Sequence, residues 1–501
     1  MVNAGGAMDR ISCDVAVVGS GIAGLSAALA AAEAGADVLV LERATRGEHG
    51  GNTRYTEAFL RMKSISEVAD DFDESLAENS GHHIDPQLIA ETLDDENAWH
   101  PVVRTLNFTS PVLISTFSEE AGPTLRWLEG FGVRFEALAT PFITTSTSRL
   151  MPVGGGLALV EALTKAAEAR SVRFEFATAA WSLLLLDDGA LAGVRAKRGG
   201  RTLDVSCGAV ILASGGFQGN DEMMARYVDR AAYVRPIARG GYYDKGEGIQ
   251  MALDIGAAPA GNYSLFHAEP IDPRSGIAEP ALFVFPYGIL VNRHGRRFTD
   301  EAPGKVDATY EAITRRILEQ PDGLGYVLLD EKIEDVPNYR VAVRTNQPPI
   351  TAASLPTLAE KLGLPADALV ATVEEFNAAC PSRQSFEPLR LDGRATSQLH
   401  PPKSNWARPL DTPPYRAYPI TCANVFSFGG LLINSSAQVI DREGLPIPGL
   451  YAAGEVIGLY HGSYIGSTSV LRGAVFGRLA GRHAPRSAAS TSATPGSFGT
   501  H

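Results

Sequence analysis

The chain has 501 residues, of which 45% are hydrophobic and 20% are charged. It can therefore bury a large core, it is too long for one simple domain, and its composition excludes disorder throughout. Its formal net charge of −13 argues against nucleic acid or an anionic membrane surface as a partner, so an anionic substrate would need a local cluster of Arg or Lys.

The four cysteines are Cys13, Cys207, Cys380 and Cys422, and they form no C-x-x-C pair and no zinc pattern. This spacing predicts a reducing compartment, no structural disulfide and no metal site. No export signal opens the sequence, and the apolar stretch at residues 15–41 contains glycines and acidic residues that favour a strand–turn–helix over a membrane span. We therefore expect a cytoplasmic protein without membrane insertion.

The first predicted unit is a strand at residues 14–18, a glycine turn at 19–24, an Ala-rich helix at 25–34 and a second strand at 37–42. Such a βαβ unit implies a parallel sheet. Further strands are predicted at 172–176, 182–186 and 210–213, with a hairpin turn at 187–189.

Residues 262–425 differ in character, because they are rich in proline and contain helical patterns at 308–319 and 366–379. The chain then returns to a strand at 450–453 and a helix at 469–482. The last segment, 485–501, is rich in Ser, Thr, Ala, Gly and Pro and carries little charge, which predicts a disordered tail.

The glycine turn has the pattern G-x-G-x-x-G between a strand and a helix. Gly19 permits the tight turn, Gly21 lets the backbone approach a pyrophosphate, and Gly24 allows close helix–sheet packing. The N–H groups of the helix N-terminus suit phosphates, and Glu42 would accept hydrogen bonds from ribose hydroxyls. The unit therefore predicts a dinucleotide, either FAD or NAD, whereas the acid disfavours NADP.

Five later motifs narrow this choice, and they appear in a consistent order along the chain. They are Arg43 with Gly50-Gly51-Asn52-Thr53-Arg54, then Ala213-Ser214-Gly215-Gly216, Gly246-Glu247-Gly248, Leu450-Tyr451-Ala452-Ala453-Gly454-Glu455, and Phe476-Gly477-Arg478. Over residues 13–484 the chain resembles the fumarate reductase/succinate dehydrogenase flavoprotein superfamily. Within it, the stretches 51–63, 403–406 and 468–473 are most similar to FAD-dependent tricarballylate dehydrogenases.

The resemblance implies an α/β fold in which a Rossmann-like FAD-binding domain, residues 9–261 and 426–484, is interrupted by a mobile α+β capping domain, residues 262–425. FAD is expected to bind non-covalently, because His49 lies in the wrong local pattern for a covalent link. The glycine motif and the resemblance together place the following residues at FAD: Gly19, Ser20, Gly21, Ile22, Ala23, Gly24, Glu42, Arg43, Gly50, Gly51, Asn52, Thr53, Ala180, Ala213, Ser214, Gly215, Glu247, Gly454, Glu455, Ser469 and Val470.

Chemistry at a carbon–carbon bond needs hydride transfer at flavin N5 and a base for the neighbouring proton. The resemblance matches the proton-handling cap arginine of fumarate reductases to Lys305, which could act as a base if burial lowers its pKa. His267 matches one substrate-binding His of that family, whereas Phe426 stands in place of the other. Fumarate itself is therefore not the expected substrate.

Tyr464 takes the place of the family's substrate-clamping Arg, and Tyr464-Ile465-Gly466 is similar to a motif of 3-ketosteroid dehydrogenases whose Tyr hydroxyl binds a carbonyl oxygen. Arg472, near the flavin end of the last helix, could grip a carboxylate. For each of Lys305, His267, Tyr464 and Arg472 a purely structural role is the alternative. Reserve candidates for the carboxylate are Arg54, Arg61, Lys63 and Arg149.

The first functional hypothesis is a dehydrogenase that introduces a C=C bond into a polycarboxylate such as tricarballylate, giving cis-aconitate, and passes electrons to a separate acceptor protein, because neither iron–sulfur cysteines nor a second nucleotide motif is present. The alternative is an ene-reductase or a tailoring desaturase that acts on another carboxylate or carbonyl-activated substrate. A third possibility is a flavin-binding subunit without catalysis of its own.

Overall fold

The computed structural model describes residues 9–79, 87, 95–137, 142–143, 149–382 and 385–491. The strands are β1 Asp9–Ser12, β2 Val15–Val18, β3 Val38–Leu41, β4 Phe135–Glu136, β5 Met151–Pro152, β6 Arg173–Glu175, β7 Thr178–Leu185, β8 Leu191–Arg198, β9 Arg201–Ser206, β10 Ala209–Leu212, β11 Arg235–Pro236, β12 Pro259–Ala260, β13 Phe266–Ile271, β14 Ile289–Asn292, β15 Leu324–Leu329, β16 Ile350–Ala352, β17 Tyr415–Ser427, β18 Gly430–Leu431, β19 Gln438–Ile440 and β20 Pro446–Ala452. The α-helices are α1 Ile22–Glu33, α2 Phe72–Glu78, α3 Pro101–Arg104, α4 Pro111–Glu129, α5 Gly155–Glu168, α6 Asp221–Tyr227, α7 Glu247–Asp254, α8 Val306–Leu318, α9 Leu355–Leu362, α10 Ala366–Ala379 and α11 Ser469–Thr491.

The central sheet has the strand order β19-β20-β10-β2-β3-β6, and every pair is parallel except β19 with β20. Strands β2 and β3 are four apolar residues each and are buried along their whole length, as parallel strands covered on both faces are. The helix α1 connects them, which confirms the predicted βαβ unit and the Rossmann-like α/β fold.

Helix α1 packs closely against α11, the C-terminal helix. Small residues make this approach possible. A Cβ atom on Gly477 would lie 2.3 Å from the carbonyl oxygen of Ala23, and one on Gly481 would lie 2.2 Å from that of Ala27. Because of this packing, the first and the last helix of the nucleotide-binding core lie side by side.

A four-stranded sheet, β1-β9-β8-β7, flanks this core. Strands β7 and β8 form the antiparallel hairpin that the Asp-Gly turn predicts. Strand β7 begins two residues before Ala180, one of the residues that the resemblance places at FAD, and Ala180 lines the cavity described below. This sheet therefore supplies one wall of the nucleotide site.

A third sheet has the order β11-β17-β15-β14, with β13 and β16 also paired to β17; all of its strands except β11 begin within residues 262–425. The 13-residue strand β17 is its spine, and helices α8, α9 and α10 cover it. Two buried clusters occupy residues 281–420, whereas the main core draws on residues 15–268 and 422–488. The predicted domain limits and the mobility of the cap remain predictions.

Helix α11 is longer than the sequence suggests, because residues 485–491 continue it instead of beginning a disordered tail. Ala484 and Ala488 are buried, and Ala488 packs against Gly208. The hydroxyls of Tyr451 and Ser487 are 2.7 Å apart. Small residues that look like a linker are therefore here a packing surface; residues 492–501 lie outside the described residues.

Candidate active site

The glycine turn after β2 is fixed by steric requirements at two positions. Gly19 has a φ of +102°, and a Cβ there would lie 2.4 Å from the carbonyl oxygen of Ala213. A Cβ on Gly24 would lie 2.0 Å from the carbonyl oxygen of Gly19. Only glycine fits either place without movement of the backbone.

The acidic residue at the end of β3 holds this turn. Glu42 Oε2 accepts hydrogen bonds from the backbone N–H of Ser20 at 2.9 Å and from the Ser20 hydroxyl at 2.6 Å, while Oε1 accepts from the N–H of Ala44 at 2.7 Å. Glu42 also lines the cavity described next. Its role in the structure is therefore to order the turn, in addition to the predicted contact with ribose.

A long cavity begins at the N-terminus of α1 and continues to the end of β17 and the first turn of α11. Predicted FAD-binding residues that line it are Gly19, Ser20, Gly21, Ile22, Ala23, Glu42, Arg43, Gly51, Asn52, Thr53, Ala180, Ala213, Ser214, Gly215, Glu247, Gly454, Glu455, Ser469 and Val470. The two others serve packing: Gly24 as above, and Gly50, where a Cβ would lie 2.8 Å from a methyl group of Val160.

The donor groups of this cavity fit FAD. At the N-terminus of helix α1, Gly21 supplies no capping side chain, and Thr53 Oγ1 accepts a hydrogen bond from the N–H of Ile22 at 3.1 Å. Ala23, whose N–H lies in the first turn and has no partner within the helix, lines the cavity. Within the described residues, the buried Ser214 Oγ and Asn52 Oδ1 have no hydrogen-bond partner. A pyrophosphate and a flavin ring provide the acceptors and donors that such atoms need.

Asp244 is a cavity residue that the sequence reasoning missed. It is buried and accepts hydrogen bonds from Gln218 Nε2 at 2.6 Å and from Asn52 Nδ2 at 3.1 Å. Burial, together with the charge of Glu455, raises its pKa well above the usual range, and burial also raises the pKa of Glu455. The only sequence signal was its place two residues before the Gly246-Glu247-Gly248 motif.

At the β17 end of this cavity lies a cluster of aromatic rings, here called the aromatic chamber: His267, Tyr310, Phe426, Tyr460 and Tyr464. The His267 ring centroid lies 4.3 Å from that of Tyr464 and 5.3 Å from that of Phe426. Phe426 itself lines the FAD cavity. The structure therefore brings two predicted residues, His267 and Tyr464, together beside the flavin site.

His267 makes one short contact and leaves one nitrogen free among the described residues. Its Nε2 lies 2.6 Å from the Tyr310 hydroxyl, and its buried Nδ1 has no hydrogen-bond partner there. Burial, and then the charge of Arg315, lowers the pKa of His267 to about 3, so the ring is neutral. Tyr310 was missed by the sequence reasoning, since a Tyr within a helix pattern is more often a core residue.

Tyr464 is held by the helix that follows it. Its hydroxyl accepts hydrogen bonds from the N–H groups of Thr468 at 3.0 Å and Ser469 at 3.2 Å, and it donates to Ser469 Oγ at 3.1 Å. The phenol therefore caps the N-terminus of α11. In this arrangement its proton points to Ser469, so binding of a substrate carbonyl, as predicted, would require the hydroxyl to rotate.

Arg472 is 1% exposed and lines the FAD cavity. Its guanidinium carbon lies 4.7 Å from the ring centroid of Tyr460 and 5.4 Å from that of Phe426. Nη1 donates to the carbonyl oxygen of Ile457 at 3.4 Å, and its positive charge acts on Glu455. Arg472, predicted to grip a carboxylate, is thus a buried cation between two rings at the flavin end of α11, and its burial excludes the alternative of a surface salt bridge.

Lys305 has a different environment from the one that its proposed chemistry needs. It is the residue before α8, and its side chain is exposed. The argument for a basic Lys305 rests on burial, and the structure does not supply that burial. Its role as a base stays a prediction without support from its position.

The reserve cations are mostly paired. Arg61 pairs with Asp71 at 2.5 Å, and the exposed Lys63 pairs with Asp70 at 2.8 Å. Arg54 donates to the backbone carbonyl of His49. The fourth, Arg149, is buried, as described in the next paragraph.

Arg149 lies where α11 begins. Its Nε donates to the Ser467 hydroxyl at 2.7 Å, and its Nη1 lies 3.8 Å from the Asp307 carboxylate. Burial lowers the pKa of Arg149, the charge of Asp307 opposes this, and electrostatic interactions with Tyr310 and Tyr464 of the aromatic chamber also contribute. Arg149 is therefore the reserve candidate placed nearest to the chamber.

None of the helices that the structure describes combines the length and the apolar character needed to cross a membrane. This finding bears on the predicted absence of membrane insertion only as far as these helices are concerned.

Comparisons with known proteins identify the family. The model of the family described as FAD binding domain matches residues 14–471. The chain is 28% identical over 492 residues to the NADH:fumarate oxidoreductase of Klebsiella pneumoniae (strain 342), covering 95% of this chain and 48% of that protein, so it spans about half of that relative's length. It is 27% identical over 511 residues to the vinyl phenol reductase of Lactiplantibacillus plantarum, covering 94% of this chain and 96% of that protein.

Among solved structures, the 3-ketosteroid-Δ4-(5α)-dehydrogenase from Rhodococcus jostii RHA1, in complex with 4-androstene-3,17-dione, is similar with a TM-score of 0.65 and 26% identity, covering 96% of this chain and 98% of that one. The family match and the cavity agree on the cofactor. The chain therefore belongs to the FAD binding domain family, within the fumarate reductase/succinate dehydrogenase flavoprotein superfamily, and its cofactor is FAD.

Proposed function

We propose that the protein is an FAD-dependent oxidoreductase that interconverts a C–C and a C=C bond next to a carbonyl or carboxyl group, in a substrate with a flat, largely apolar body. The observation that carries this proposal is the unpartnered Nδ1 of the neutral His267 within the aromatic chamber. A buried polar atom among rings suits one oxygen of an otherwise apolar ligand.

Different residues of the aromatic chamber would bind the oxygen and the apolar body of the substrate. With the Tyr310 hydroxyl donating to Nε2, the neutral His267 ring carries its proton on Nδ1 and can donate it to a substrate oxygen. The rings of Phe426 and Tyr464, with centroids 5.0 Å apart at 85°, provide an apolar corner for the substrate body. Polarising that oxygen makes the adjacent carbons reactive.

FAD, when bound, supplies the group that gives or accepts the hydride. The helix α11 begins at Ser469, which lines the cavity, so the positive end of its dipole faces the cofactor. The buried Arg472 adds a full positive charge one turn further on. Both favour negative charge at that end of the flavin and thus its reduced form.

The relatives support this reaction class. Their names refer to reduction of fumarate and of vinyl phenol and to dehydrogenation of a 3-ketosteroid. A phenol and a steroid are ring compounds, as the aromatic chamber favours. We place the reaction in the cytoplasm, with a separate protein as the electron donor or acceptor.

A second candidate is the dehydrogenation of tricarballylate to cis-aconitate. It is favoured by Arg149, a buried guanidinium that lies beside Ser467 and 3.8 Å from Asp307. A carboxylate that displaced Asp307 would form a bidentate pair. The chamber itself, which has rings where a tricarboxylate needs cations, makes this the second choice.

Anaerobic half-reactions test the proposal. Reduced holoprotein is mixed with cyclohex-2-enone, 4-vinylphenol or fumarate, and oxidised holoprotein is mixed with tricarballylate, while the visible flavin band is followed. We expect cyclohex-2-enone, whose C=C bond adjoins a carbonyl group, to reoxidise the flavin; 4-vinylphenol, which has no such group, tests whether a conjugated ring alone is enough. We also expect His267→Phe, which removes the Nδ1 donor, to slow this reaction at least about 10-fold, whereas His294→Phe, at an exposed position, leaves it unchanged.

Bleaching by tricarballylate, without reaction of the ring compounds, would favour the second candidate. A flavin band that responds to none of the four compounds would contradict both.

A further inference from the structure

A group of carboxylates lies beside the aromatic chamber, where residues 50–57, here called the flavin loop, meet the segment 262–425 that interrupts the core. Arg344 pairs with Glu57 of the flavin loop at 3.0 Å and with Glu279 at 3.1 Å. The charges of all three act on a third carboxyl group, that of Glu269. Two carboxylates therefore form ion pairs with one guanidinium, and the charge of that guanidinium also acts on a third carboxyl group.

Glu269 differs from the other two. Its side chain makes no hydrogen bond or ion pair with any other residue that the structure describes, and it is half-buried. Burial, and then the charge of Glu279, raises the pKa of Glu269 to about 8, and burial raises that of Glu279 to about 7. Glu269 therefore holds a proton at neutral pH that no neighbour fixes in place.

The position of Glu269 links the FAD cavity to the chamber. It follows His267 by two residues on β13, and its charge acts on Tyr310, whose hydroxyl contacts the His267 ring. Its neighbour Glu279 lines the FAD cavity. A proton on Glu269 is thus held close to where a substrate would face the flavin.

Other titratable groups near the chamber are less suited to transfer a proton. Lys305 is exposed, and His267 stays neutral down to acidic pH. Glu311 is engaged, because it accepts from the N–H of Tyr464 at 3.1 Å and pairs with Arg315 at 2.7 Å. Asp307 also has a pKa raised by burial, but its carboxylate lies 3.8 Å from Arg149 Nη1, whereas Glu269 forms no ion pair among the described residues.

We propose that Glu269 is the acid–base residue of the proposed reaction. In the reducing direction, the hydride from the flavin forms a C–H bond at one carbon of the C=C bond. The π-electron pair then forms the second C–H bond with the proton of Glu269, whose O–H bond breaks and leaves a carboxylate. The flavin is oxidised and the substrate is reduced. In the desaturating direction the same atoms move in reverse.

This assignment rests on the proposed function and predicts the pH dependence. Reduction needs protonated Glu269, so its rate should fall as the pH rises through about 8, whereas desaturation needs the carboxylate and should become faster over the same range. The charged and titratable groups around Glu269 are Glu57, Glu279 and Arg344, together with Tyr310 of α8; its partner on β17 is Ala423, which does not titrate.

The test compares Glu269→Gln with Glu319→Gln, an exposed glutamate that follows α8. In a stopped-flow half-reaction with a substrate that reacts with the wild-type holoprotein, Glu269→Gln should lose at least about 100-fold in rate, as removal of a general acid does. It should still bind FAD with an unchanged visible spectrum. It should also lose the exchange of substrate protons with D2O, measured by mass spectrometry, while Glu319→Gln retains both.

A Glu269→Gln rate within about threefold of the wild type would overturn the assignment, whereas a wild type that reacts with no substrate would instead count against the proposed function. If Glu269→Gln does not bind FAD, Glu269→Asp decides. That variant keeps a carboxyl group of lower intrinsic pKa, so the fall in the reduction rate should occur at a lower pH than in the wild type. If the rate falls at the same pH in both proteins, Glu269 is excluded as the acid.

Discussion

Gly19 and Gly35 both have positive φ angles, +102° and +89°, but only Gly19 lies against another part of the chain. At Gly19 a Cβ would meet the backbone of Ala213, the first residue of the Ala213-Ser214-Gly215-Gly216 motif. At Gly35 nothing lies within 4 Å of that Cβ. The two positions therefore separate the cost of backbone strain from the cost of a steric clash.

We predict that Gly19→Ala abolishes FAD binding and lowers the free energy of unfolding by more than Gly35→Ala does. Strain at a positive φ costs about 1–3 kcal/mol in either variant, and the clash is added only at Gly19. Urea unfolding and fluorescence titration with FAD measure both effects. Equal losses in the two variants, with FAD binding retained, would show that the close approach to Ala213 is not required.

The comparison of Lys305 with Glu269 shows what a residue-by-residue reading of the sequence leaves out. The resemblance matched Lys305 to a proton-handling residue, yet its side chain is exposed. The sequence did not identify Glu269 as a candidate, because a single acidic residue in an apolar strand belongs to no recognisable motif. Its raised pKa arises from burial and from Glu279, ten positions further along, which the fold brings near.

At the scale of elements, strand β17 organises the chamber. It pairs with β11, β13, β15 and β16, and Phe426 near its end lines the FAD cavity. The pairing with β13 shifts register between Phe266 and Ala268, so His267 lies at the irregularity. Bulges of this kind often redirect a side chain next to a site. Sequence patterns predicted neither the pairing nor the shift.

The C-terminal helix permits a test at this scale. We predict that Ala488→Glu lowers the free energy of unfolding by about 3 kcal/mol, because it forces a charge into the contact with Gly208. Arg486→Glu, on the exposed side of the same helix, should change it by less than about 0.5 kcal/mol. Urea unfolding of both variants provides the comparison, and a neutral Ala488→Glu would mean that this turn does not pack as described.

At the scale of the whole molecule, bound FAD should contact, and thereby link, segments that lie far apart in the sequence. The cavity is lined by Gly21 in the first turn, Ser214 after β10 and Val470 in α11. Because the cofactor binds only when these three segments are assembled, its binding energy adds to the stability of the fold.

We therefore predict that FAD at 100 times its Kd stabilises the protein by about 2.7 kcal/mol, seen as a higher Tm in the presence of FAD than in its absence. AMP at the same concentration, which lacks the flavin, is the control and should raise the Tm less. A Tm independent of FAD, together with a colourless protein after reconstitution, would contradict the FAD site itself.

The sequence by itself determined the βαβ unit and the glycine turn, because both depend on local patterns: alternation of strand and helix, and positions where only Gly19 or Gly24 fits. The choice of FAD over NAD followed from the resemblance carried by the later motifs. Only the tertiary structure supplied the contacts on which the proposed roles of His267 and Glu269 rest. Burial, the free Nδ1 of His267 and the shared charge around Arg344 arise from contacts between residues far apart in the chain, and no short pattern encodes them.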